Sequence, residues 1–274
     1  MIKTSFSLIC FLLVSPYLFA QPRLTEQWRT EHLDVPESVL ITKGSGILYT
    51  SLIGPGDHTS IDGNGSIALL NKQGKILDKQ WISGLNAPKG IGIYKDTLYV
   101  ADLKELVIID VPNKKILKKI SVPAVGMLND VTIDHKGNVY VSDSKGGKIY
   151  SYINGNLTVF LGDLINPNGL LAEKNGLYFL DSGSLFLLDN KKKVSKIAED
   201  MDKSTDGLQK DGDNFIVSAW GGVLYYVTKD GKVTTLLDSK AEKMNTADFA
   251  FDSESRLLYL PTFFKNQIIA YKLQ

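Results

Sequence analysis

The chain of 274 residues carries 31 Lys and Arg against 30 Asp and Glu, with three histidines and a single cysteine. So balanced a charge gives no electrostatic case for nucleic acid or for an anionic membrane surface, and one cysteine excludes a disulfide framework. About 250 residues suit one closed repeat domain as well as two ordinary ones; no Pro/Ser-rich linker or charge block intervenes, so one domain is expected over 21–274.

Lys3, the apolar run 6–19 and the small residue Ala20 before Gln21-Pro22 follow the order of a secretory signal. Residues 1–20 are therefore expected to be removed, and the mature protein to be secreted or periplasmic. The run is too short for a spanning helix and no later stretch approaches it, so no membrane association is expected once the signal is gone. Cys10 sits inside that segment, and the apolar run continues past it, which argues against a lipoprotein. The mature chain then has no thiol, in keeping with an oxidising compartment.

From there a unit recurs six times. Glu37, Lys89, Asp130, Asn168, Asp206 and Asp248 each open a short apolar run, and thirteen residues later stand Thr50, Asp102, Asp143, Asp181, Ala219 and Pro261. Between the marks lie an apolar run, a polar turn and a second apolar run. Each unit supplies four runs rich in β-branched and aromatic residues, parted by turns such as Gly74-Lys75, Asn113-Lys114 and Asp230-Gly231. In the third unit these are 131–133, 139–142, 148–152 and 157–160. Four antiparallel strands every 38 to 52 residues predict an all-β, six-bladed β-propeller. The sixth unit ends after its third strand, 267–271, so the segment 25–30 is expected to complete the last blade and cover its outer edge.

Propeller geometry brings the first residue of every innermost strand to one mouth of the channel, with the residues after the second marks as a rim. Gly90, Gly169 and Gly207, one place after their anchors, read as close packing near the axis. Four carboxylates, one amide and one ammonium in a narrow ring leave an excess of negative charge that burial penalises. A bound cation answers that excess, and oxygen donors without histidine favour Ca²⁺, with Mg²⁺ as the alternative. The competing reading pairs the acids with Lys89 and backbone amides.

Four motifs on successive anchors resemble the senescence-marker-protein/gluconolactonase family of six-bladed propellers, which includes lactonases and the related diisopropyl fluorophosphatase. They are Pro36-Glu37-Ser38-Val39, Asn129-Asp130, Asn168-Gly169-Leu170 and Asp206-Gly207-Leu208. The resemblance covers the mature chain and implies Glu37, Asn168 and Asp206 as ligands of a divalent ion, with Asn129 and Asp130 beside a substrate. Two positions depart from the family pattern. Met127 stands where its sugar-acid lactonases carry an Arg, and Lys89 at the second anchor is placed to compete with a cation. The stretch 137–143 also resembles NHL-type propellers, many of which bind a protein or carbohydrate without catalysis.

The expected activity is therefore hydrolysis of a lactone or similar ester, with Asp206 or Asp130 accepting a proton from the attacking water. The long loop 53–65 is expected on the anchor face, either as a lid bringing His58 to the channel or as a plain surface loop. Its Asp62-Gly63-Asn64-Gly65 lacks the acid that an EF-hand requires. Trp220, Phe263 and Phe264 follow their rim marks and read either as an apolar substrate wall or as inter-blade packing. Substrate-binding candidates are thus Asn129, Lys89, His58 and Trp220. Tyr99, Tyr140 and Tyr178 recur ten places after their anchors and read as packing, and His32, in an outer strand, and His135, in a turn, as remote from the channel.

Overall fold

The computed structural model describes residues 22–42, 44–122 and 124–274; the expected signal segment 1–20, with Cys10, lies outside them. Six sheets of four antiparallel strands form the six blades of a β-propeller. Blade three runs Leu128–Ile133, Val139–Asp143, Lys148–Ile153 and Asn156–Leu161, so its strands stand where the turn chemistry places them. The last blade is closed by the other end of the chain. Strand Leu24–Thr30 pairs antiparallel with Ile268–Leu273, Leu24 opposite Leu273 and Thr30 opposite Ile268. His32 falls beyond that strand, in a loop at φ 63°, not within a strand as expected. Among the described residues the only helical turn is Phe263–Lys265, and no helix is long and apolar enough to cross a membrane.

The alternating pattern of each strand turns one row of side chains toward each neighbouring blade, and the core is therefore a set of seams. Tyr178, Leu180 and Leu185 meet Leu208, Phe215 and Val217 between blades four and five. Val39, Leu48 and Leu52 meet Tyr259 and Ile268 between blades one and six. Tyr140 packs edge-on against Phe160 and Tyr178 at a tilt against Phe215, the packing role expected of the repeating tyrosines. A smaller apolar cluster of Ile53, Ala87, Leu103, Ala247 and Phe263 spans several blades at the face where the innermost strands begin. The ring is also sealed near its axis. Asp248 donates its amide to Glu37 O at 3.0 Å and accepts from Val39 N at 3.2 Å, while Ser38 Oγ donates to Asp248 Oδ2 at 2.5 Å.

Two local devices fix the anchors. In five innermost strands the pairing register slips at the anchor, between Pro36 and Ser38, Pro88 and Ile91, Leu128 and Val131, Pro167 and Leu170, and Thr205 and Leu208. Such bulges re-aim a side chain, here toward the axis. Behind three of them a serine hydroxyl of the second strand accepts the freed amide: Ser51 from Ser38, Ser142 from Asp130 and Ser218 from Gly207, at 2.9, 2.8 and 2.7 Å.

The aspartates thirteen residues on are the second device. Asp102 accepts the amides of Asn86 and Ala87, and Asp181 those of Ile165 and Asn166. Asp143 accepts those of Gly126, Met127 and Gly146. Each carboxylate staples the loop that delivers its own blade's anchor, so its charge meets backbone amides and not the channel.

A candidate cation and carbonyl site at the channel mouth

A cavity of about 220 Å³ opens at the face where the innermost strands begin, and Glu37, Lys89, Asn129, Asn168 and Asp206 line its floor. All five are buried. Lys89 Nζ lies 3.7 Å from Glu37 Oε1, and Asn168 Nδ2 donates to Asp206 Oδ1 at 2.8 Å. Among the described residues, Glu37 Oε2, Asn168 Oδ1 and Asp206 Oδ2 are buried oxygens with no hydrogen-bond partner.

Burial sets the electrostatics. Desolvation raises the Glu37 carboxyl to about 7, against the lowering pull of Lys89 and with a further upward push from Asp130. Burial first, and then repulsion by Glu37, hold the Asp206 carboxyl well above its ordinary range although Lys89 opposes the rise. One ammonium does not balance the acids around it. The three unpaired oxygens form an oxygen-only donor set, which suits a hard divalent cation with water completing its shell. Among the described residues no group of three or more His, Cys, Asp or Glu side chains gathers to hold a metal; the set here consists of two carboxylates and an amide.

The expected ring of six anchors is split in depth. Asp130 and Asp248 do not line the upper cavity; with Gln209, Leu40 and Ile133 they line a second one of about 210 Å³ farther along the channel. Asp130 is tied there by backbone, Oδ1 accepting from Val131 N and Oδ2 from Leu170 N, each at 2.6 Å. Asp130, expected beside the substrate as a proton acceptor, thus has both carboxylate oxygens bonded to backbone amides and lines the second cavity. Burial still raises it, to about 6, against the opposing effect of those amides. The Asp248 carboxyl is raised well above its usual range, by burial and then by Asp130.

Glycine at the place after the anchor is required where blades close on one another. A Cβ on Gly169 would lie 2.2 Å from the backbone oxygen of Asp206.

Above the floor stand His58, Thr59, Met127, Lys145, Trp220 and Phe263. The loop between Leu52 and Gly65 therefore does reach the channel mouth. Its course is set by Asp57, which accepts from Thr59 N at 2.9 Å, and by Asn64, whose Nδ2 donates to Pro55 O at 3.0 Å. The His58 ring meets Phe263 and Phe264 edge-on, at 5.8 and 5.7 Å between centroids. Trp220 meets the same pair at 5.4 and 5.9 Å. Phe263 serves both readings given to it, buried in the apolar cluster of the upper face and lining the cavity. Phe264 is 52% exposed at the rim.

No protein-family model and no curated protein matches the sequence. Solved structures do match the fold. Virginiamycin B lyase from Staphylococcus aureus superposes with a TM-score of 0.65 at 13% identity, over 93% of this chain and 100% of that one. A streptogramin B lyase gives 0.67 at 12% identity, over 92% and 98%. A nidogen/laminin complex gives 0.62 at 16% identity, over 75% and 84%. At such identities the likeness shows one thing, that this chain is built as a β-propeller.

Proposed function

We propose that the protein is an exported, divalent-cation-dependent hydrolase of a lactone or similar ester, in the manner of the gluconolactonase-like propellers its motifs resemble. The observation that carries this reading is the set of unpaired oxygens on Glu37, Asn168 and Asp206 around one cavity. These residues would hold the ion, Ca²⁺ or Mg²⁺, which when bound supplies Lewis acidity toward a carbonyl oxygen and keeps the carboxylates ionised.

The chain's own residues supply the rest. The Asp206 carboxylate takes a proton from the incoming water. The water oxygen bonds to the acyl carbon, the acyl–oxygen bond breaks, and the proton passes to the leaving oxygen, giving a hydroxy acid. Asn168 holds Asp206 in place through Nδ2, and Lys89 carries the positive charge that faces Glu37. Asn129 and the aromatic residues above enclose the substrate.

The test is metal content and turnover together. The purified protein is expected to carry Ca²⁺, to lose thermal stability when chelated, and to regain it with hydrolysis of a lactone panel when the ion returns. Absence of ion binding and of turnover across that panel overturns the reading. The Lys89–Glu37 pair favours one alternative, a binding propeller whose internal ammonium takes the cation's place. For export, the expectation is that the cell-fractionation product starts near Gln21.

A further inference from the structure

Floor and wall of the upper cavity differ in chemistry. Carboxylates and amides lie on the floor, while the wall is built mainly of Met127, Trp220 and Phe263, with the His58 ring edge-on to Phe263 and with Thr59 and Lys145 as its polar members. The apolar surface continues outward past the cavity. Phe264 is 52% exposed beside His58 and Trp220, and Ile61, on the loop that carries His58, is 69% exposed. Phe263 keeps its ring over the floor from φ 50°, a conformation a bulky side chain rarely adopts. A space of about 220 Å³ matches about seven waters of bulk volume, enough for one or two small rings. Hydroxyl groups buried against Met127, Trp220 and Phe263 would go without partners, whereas an apolar ring gains about 25 cal/mol for each Å² removed from water.

We propose that this cavity selects a small carbonyl compound with an apolar body, an aryl- or alkyl-substituted lactone in place of a polyhydroxylated one, its ring against Trp220, Phe263, Phe264 and His58 and its carbonyl toward the floor. The inference rests on the reading of the floor as a carbonyl site, and ketone binding tests it separately from turnover. Specificity then resides in the wall. Phe264 and His58 both belong to segments outside the blades' strands.

The experiment uses the full mature protein, with Ca²⁺ and with chelator, and two kinds of probe. The first is a pair of cyclic ketones that cannot be hydrolysed, β-tetralone and cyclohexanone, titrated by calorimetry. β-Tetralone is expected to bind about tenfold tighter or better, and Phe264→Ala, at a half-exposed position, to remove most of that advantage. The second is a pair of δ-lactones, dihydrocoumarin and glucono-δ-lactone, compared by kcat/KM, with dihydrocoumarin favoured by a similar factor or more.

Ketone discrimination without hydrolysis of either lactone supports the ligand class and defeats the hydrolase reading. Equal binding of the two ketones overturns the proposal even if a lactone turns over, and so does a preference for glucono-δ-lactone. Should Phe264→Ala fail to fold, the ketone comparison on the native protein decides alone.

Discussion

Lys89 and Glu37, drawn from the first strands of neighbouring blades, face each other inside the channel mouth with Nζ 3.7 Å from Oε1, both out of reach of bulk solvent. The ammonium also sits 6.0 Å from the centre of the Phe263 ring, at the outer limit for attraction to an aromatic face. A divalent ion at Glu37 Oε2 would share its carboxylate with that positive charge.

Replacing Lys89 by Met should therefore tighten Ca²⁺ binding by about tenfold, because like charges in a poorly solvated site repel strongly. In chelator the same variant should melt several degrees below the native protein, since Glu37 and Asp206 would lose the ammonium that opposes the rise of both carboxyls. Calorimetric titration and thermal melts read the two effects separately. Weaker Ca²⁺ binding in the variant would show that the lysine supports the ion.

Asp206→Asn should act in the opposite sense on the empty protein. Its carboxyl is pushed up by burial and by Glu37, so neutralising it raises the melting temperature in chelator while abolishing the increment that Ca²⁺ gives. Turnover of any lactone should fall with it, by about a hundredfold or more. A variant that keeps its Ca²⁺-dependent increment removes Asp206 from the ligand set.

Stability should also depend on pH in a defined direction. Glu37 and Asp130 titrate at about 7 and about 6 in the fold, above their unfolded values of 4.5 and 3.8, so the folded protein holds more protons between those limits. Their contribution is fully present below about pH 4 and lost as pH rises through about 6 to 7. Asp202 and Asp252 oppose this at lower pH. Lys240 hydrogen-bonds Asp202 and holds it at about 2, and Asp252 is also held at about 2, burial there being outweighed by Lys72 and Ser255. Their contribution is lost as pH falls from about 4 toward 2. Melts in chelator should peak near pH 4 to 5 and decline toward pH 8; a rise across the upper window contradicts the assignment.

Gly169→Ala should cost roughly 1–3 kcal/mol, because the added methyl meets backbone and has no flexible side chain to displace. Denaturant titration measures it. Since Asn168 is the neighbouring residue, the variant should also bind Ca²⁺ more weakly.

Asp143→Ala should cost about 3 kcal/mol or more, as the amides of Gly126, Met127 and Gly146 lose their acceptor together. An unchanged melting temperature would mean that the loop is held by something other than this carboxylate.

The thirteen-residue spacing made the architecture legible, because each blade repeats the same two inner strands and a spacing is all that a closed ring needs to set its anchors around one axis. Depth along that axis was not legible. Asp130 and Asp206 occupy equivalent places in the repeat, yet one turns onto amides of Val131 and Leu170 and the other into the upper cavity. That difference is made by which amide the adjoining blade presents, a contact 40 residues away in sequence. The rim aspartates were legible as marks but not as staples; the signal was there in the 15 to 17 residues that separate Asp102, Asp143 or Asp181 from the amides they hold in the loop before the anchor. The aromatic wall was half legible, since sequence placed Trp220 and Phe263 at the rim but left open whether His58 arrives from another blade, where it meets Phe263.

The pairing of Leu24–Thr30 with Ile268–Leu273 joins the first strand of the described chain to its last. Among the described residues no other strand pairing spans so great a length, and loop-closure entropy makes such a contact late and slow to form. During synthesis the first strand must wait for the whole remaining chain. Five blades can assemble as they emerge, each on its predecessor, while the sixth stays one strand short until the ends meet. Until that moment the last blade offers an open edge to any passing strand, and a protein that holds its first segment back, or delivers it to the far side of a membrane ahead of the rest, sets by that act when the ring can shut.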